Sequence, residues 1–73
     1  MDRQTIIDRL ELADWHVAEG TFHVNRQRRL IEALTREHQD TTQANEILKK
    51  FEEILATHTA DRDRLLKELK KST

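Results

Sequence analysis

The residues best suited to chemistry in this chain are histidines and a carboxylate. Four histidines are present, and three of them fall at spacings that a helix would gather. His16 and His23 stand one heptad apart, and Glu19 and His23 stand at i,i+4, neighbours on a helix surface. His58 and Arg62 repeat the i,i+4 spacing in the second half. Imidazole nitrogen and carboxylate oxygen are donors that Zn, Fe or Mn accept. The same groups can build a hydrogen-bonded layer inside a helix pair. His16, Glu19, His23, His58 and Arg62, with Asp61 nearby, therefore support three readings. They form a polar layer that fixes helix register, as single polar seam residues do in coiled coils. They hold a divalent metal. Or they are solvated surface. Bundle carboxylate sites use Glu-x-x-His, whereas the spacing here is Glu19-x-x-x-His23. The register-fixing layer, which needs no cofactor, is the favoured reading.

Other chemistry is thin. The chain has one Gly, so no glycine-rich phosphate loop, and it has no Cys. Its only Ser is Ser72, too close to the end for a Ser–His–Asp arrangement. No enzymatic activity is expected. Arg26, Arg28 and Arg29, with Gln27, form a basic cluster. Thirteen basic and fourteen acidic residues leave a net charge of −1, with no global attraction for nucleic acid. The cluster therefore reads as a solvated face paired with acidic residues of a partner helix.

The elements that must position these groups are helices. Ala, Glu, Lys, Leu and Arg supply close to half of the chain, charged residues supply 37%, and Pro is absent. From Ile6, apolar or small residues recur at alternating spacings of four and three: Ile6, Leu10, Ala13, Val17, Gly20, Val24, Gln27, Ile31 and Leu34. Only Gln27 is clearly polar. A second stripe runs Ala44, Leu48, Phe51, Leu55, His58, Arg62, Leu65, Leu69. This alternation is the seam of a coiled coil. Ile47 and Ile54 widen the second stripe toward a bundle face.

Asp40, with Gln43 three residues on, predicts a helix start with a capping box. The pattern predicts helix 1 near Asp2–Glu37, a turn at 38–41 and helix 2 near Thr41–Lys70. His38 lies in the turn and faces solvent. So short a connection makes antiparallel neighbours. Charge agrees, because the acidic start of helix 1 meets the basic end of helix 2, and the signs reverse near the turn. A turn centred near Thr41 makes facing residue numbers add up to about 82. Val24 then faces His58, Gly20 faces Arg62, and Glu19 can pair with Arg62. Gly20 costs about 1 kcal/mol against Ala inside a helix, so it makes room either for Arg62 or for a close helix approach.

The segments His16-Val17-Ala18-Glu19-Gly20, His23, Arg26-Gln27-Arg28, Asp40-Thr41-Thr42, Phe51-Glu52, His58 and Arg62-Asp63-Arg64-Leu65 form a recognisable pattern. With it, residues 10–69 resemble a group of short, uncharacterised two-helix proteins of alphaproteobacteria. The resemblance implies a helical hairpin and brings no activity with it. Its matching positions are largely the polar-layer residues. Two departures stand out. Such proteins often place a Gly in the turn, where this chain has Glu37-His38-Gln39. Many carry charged residues where this chain has Trp15 and Phe22.

Trp15, Ala18 and Phe22 lie on roughly the opposite side of helix 1 from Val17 and Val24. They are either scattered surface residues or a face for self-association. Trp15 and Phe22, one heptad apart, can form one ridge, which favours association. A chain this short, without disulfides, usually needs oligomerisation or a metal. The expected molecule is thus an all-α antiparallel hairpin forming a single domain, 1–73. It dimerises into a four-helix bundle and acts as a small non-catalytic interaction or scaffold module. The alternative is a histidine/carboxylate metal-binding protein. No run approaches a membrane span, and the first residues lack the pattern of a signal peptide. Cytoplasmic residence is the default expectation.

Overall fold

The computed structural model describes residues 2–72; Met1 and Thr73 lie outside it. The chain is an all-α antiparallel hairpin of two helices, α1 (Arg3–Arg36) and α2 (Thr42–Lys71). Both lie within one residue of the predicted bounds at each end. The molecule is a rod of 55 × 14 × 13 Å with a radius of gyration of 16.5 Å. A compact chain of this length would have a radius near ~11 Å. A rod two helices thick has one seam and no deep interior.

That seam is the predicted one. Each position of the two heptad stripes is buried or half-buried, from Ile6 to Leu34 and from Ala44 to Leu69. Ile6, Ala13, Val24, Ala44 and Leu65 form its apolar centre. Gln27 is buried among them, and its Nε2 donates to the Ala44 carbonyl oxygen at 2.9 Å. This bond crosses between the helices and fixes their register near the turn. Ile47 and Ile54, read from the sequence as widening the stripe, remain exposed in the single hairpin.

The facing register differs from the predicted one. Gly20 lies against Leu55, His16 against His58, and His23 against Phe51, so facing numbers add up to about 75. The chain reverses at His38, not at Thr41. Three hydrogen bonds close α1: Glu37 N–H to the Ala33 carbonyl, His38 N–H to Thr35 at 3.1 Å, and Gln39 N–H to Leu34 at 2.9 Å. The last two make a Schellman motif. Its left-handed residue is His38, with φ 57°. The left-handed position of this helix end, which favours Gly, is therefore filled here by a residue with a side chain. A left-handed backbone costs a non-glycine residue about 1–2 kcal/mol. Glycine returns part of that gain as chain entropy in the unfolded state. His38→Gly is expected to stabilise by about 0.5–1 kcal/mol, a rise of roughly 3–6 °C in Tm for a chain this size. A thermal melt followed by helix ellipticity checks it, and a lower Tm would contradict the assignment.

Both helix starts are capped by aspartate. Asp2 Oδ1 accepts from Thr5 N–H at 2.7 Å. Asp40 Oδ1 accepts from Thr42 N–H at 3.0 Å and from its hydroxyl at 2.7 Å. The residue at the N-cap position is Thr41, so Asp40 caps from one step further back, and Gln43 does not complete the expected box. The bonds to Thr5 and Thr42 hold both carboxyls below their usual range. A carboxylate held low contributes stability above its ordinary pKa and loses it as pH falls through the lowered value. These caps therefore fail only in acid.

Candidate association face with a histidine cluster

One side of the rod collects nearly all of the unusual side chains. The chain has one Trp, two Phe and no Tyr. All three rings lie here with three of the histidines, in two rows that cross from α1 to α2. In the first row Trp15 meets His16 edge-on at 5.1 Å, and His16 stacks on His58 at 4.8 Å with the planes 13° apart. In the second row Phe22 meets His23 edge-on at 5.7 Å, and His23 meets Phe51 at 5.8 Å. The rows stand one heptad apart because His16 and His23 do. Between them lies a depression of about 90 Å³ lined by His16, Glu19, Gly20, His23, Ile54 and His58.

Gly20 forms the floor of this depression. A Cβ there would lie 3.1 Å from Leu55 Cδ1, so α1 and α2 approach closely at this level. The sequence left two roles open for Gly20, and this is the second of them. Glu19 Oε1 lies 3.7 Å from His23 Nε2, an ion pair only when the imidazole is protonated. Both side chains are half-exposed.

Four of the five predicted polar-layer residues, His16, Glu19, His23 and His58, thus share one site. The fifth, Arg62, does not. The register shift sets it level with Ala13 rather than Gly20. Its guanidinium reaches the adjacent Asp63 at 3.4 Å, and its Nε is buried without a partner. The expected Glu19–Arg62 pair is absent. Asp61 pairs with Arg64 along α2. Among the described residues no three His, Asp or Glu side chains converge to hold a metal ion.

The predicted ridge is exposed. Trp15 is 58% and Phe22 55% accessible, and Ala18 lies exposed between them in sequence. Both rings lean onto the histidines and so extend the side of the rod that carries Ile54. Two further depressions continue that side. One reaches Leu12 past His16, the other Leu30 past His23. Leu12, Leu30 and Ile54 are each about half exposed. The sequence reading missed Leu12 and Leu30 as face residues. A helical wheel referred to the seam would have placed Leu30 with His16 and His23, seven residues apart in turn.

The opposite side of the rod is different in kind. Arg28 pairs there across the helices with Glu52 at 3.1 Å. Both are exposed, and such pairs contribute only about 0–1 kcal/mol. Arg28 is therefore a salt-bridged residue of a solvated face, and Gln27 is in the seam. No helix among the described residues is long and apolar enough to cross a membrane. Comparison with protein-family models, with curated proteins and with solved structures finds no match for the chain.

Proposed function

We propose that the chain is a small, non-catalytic helical module that works by self-association and partner binding. The aromatic–histidine face is its contact surface, and the assembled form is a four-helix bundle. The observation that carries this reading is surface. A folded monomer of 8.7 kDa exposes roughly 4,700 Å², whereas this hairpin exposes 5656 Å². The excess of roughly 900 Å² is close to the ~800 Å² that each partner loses in a standard interface. Large apolar side chains and rings stand exposed on one side, where a second hairpin would cover them.

Trp15 makes the test simple, because it is the only Trp and lies on the face. Its emission should shift to the red as the protein is diluted from the micromolar range, with helix content falling in parallel. Emission that is already red and independent of concentration would count against self-association through this face.

The metal-binding reading has less behind it. Glu19 and His23 offer two adjacent donors, and others would have to come from outside the hairpin. That reading expects EDTA to lower the Tm.

A further inference from the structure

A second hairpin can lie on the aromatic–histidine face in two directions, turn beside turn or turn beside termini. We infer that a second copy of the chain packs antiparallel there, each turn beside the other copy's termini. The two-fold axis then crosses α1 at Glu19 and Gly20. This inference rests on the self-association reading and goes beyond it in fixing the geometry.

Position is the first argument. α1 runs Arg3–Arg36, so its midpoint falls between Glu19 and Gly20. His16 and His23 stand equally far from that point on either side. An axis through it and along the face lays the row Trp15–His16–His58 of one copy over the row Phe22–His23–Phe51 of the other. Both rods then overlap over their full length. Isologous contacts need such self-complementarity, with one patch meeting itself. A patch near one end of the rod would have left half of each copy uncovered.

Charge is the second argument. The first half of α1 with its cap carries Asp2, Asp8, Glu11, Asp14 and Glu19 against Arg3 and Arg9, a net −3. The second half carries Arg26, Arg28, Arg29 and Arg36 against Glu32, a net +3. α2 is divided more weakly, −1 over 42–56 and +2 over 57–71. Antiparallel copies set α1 on α1, so −3 meets +3 at both ends, and α2 on α2 with the same sense. Parallel copies would set α1 on α2, a weaker match, and hold like halves of the two α1 helices together across the bundle diagonal. Charge patterns of this kind select orientation even where single pairs add little.

The absence of Cys permits a clean test by single-cysteine cross-linking. Glu19→Cys, beside the axis, should form a disulfide-linked dimer under mild oxidation. Leu12→Cys and Arg26→Cys lie on the face on opposite sides of the axis. An equimolar mixture of these two variants should give the mixed disulfide as nearly all of the cross-linked product, about tenfold over the two self-linked species together, where random pairing would give equal amounts. Self-linked Leu12→Cys as the main product, or a statistical mixture, would overturn the antiparallel arrangement. Light scattering on the same reduced samples separates the orientation of the two copies from self-association itself. A two-chain mass with the wrong linkage pattern overturns the geometry alone. A one-chain mass overturns both the geometry and the self-association beneath it.

Discussion

Leu65→Ala is expected to unfold most of the protein under conditions where the parent chain is fully helical. Leu65 is 2% exposed, the most buried side chain of the seam. Truncating a buried Leu to Ala costs about 2–5 kcal/mol, depending on how far the site collapses. In a thick globule that loss is shared by neighbours that move inward. Here the rod is two helices wide, and little lies behind the seam to fill the gap. The total at stake is also small, since a single core of this size rarely supplies more than ~3–5 kcal/mol. Loss and total are therefore comparable. A urea or thermal melt at fixed protein concentration measures it. Leu66→Ala, one residue on and 39% exposed, is the control. It should shift the transition by no more than a few degrees. Similar shifts for both variants would mean that the seam does not carry the stability.

Trp15→Glu combined with Phe22→Glu, which sets like charges opposite one another in either orientation of the second copy, is expected to separate the associated form into single chains. Both rings are more than half exposed in one hairpin, so replacing them removes little from its seam. In an interface, central aromatic residues commonly contribute ~2 kcal/mol or more each. A pair of identical chains loses each ring twice, four in all, which weakens association by about a millionfold if the effects add. Ile54→Glu should act in the same direction, because Ile54 lies between the two ring rows. Leu66→Glu should not, because Leu66 stands two heptads from Glu52, on the side of the Arg28–Glu52 pair. Analytical ultracentrifugation of the four proteins reads the outcome directly. An equal effect of Leu66→Glu would mean that association is not confined to the ring-bearing side.

The two helices and their seam were legible in the sequence because heptad spacing depends only on which side chains avoid water. The facing register was not. A slip of one heptad keeps each seam residue in the seam and changes only its neighbour across it. The stripes therefore agree with the structure while the pairing of Gly20 with Arg62 gives way to Gly20 with Leu55. What sets the pairing is local. His38 takes a left-handed backbone that a Gly would have announced, and the chain turns there. Asp40, a good cap by type, suggested a later reversal, yet it caps α2 after the turn is complete. Gln27 was visible as the only polar residue of its stripe. Its reach to the Ala44 carbonyl depends on the register and so was not. The histidine cluster was legible in part for the same reason. His16, Glu19 and His23 are set by one helix alone, whereas Arg62 depended on the facing register.

A hairpin with so much exposed surface is expected to pair with a second copy. Static light scattering over a concentration series tests it most directly. The expected mass is twice 8.7 kDa, falling toward one chain only on strong dilution. A mass of one chain at all concentrations, with full helicity retained, would contradict it.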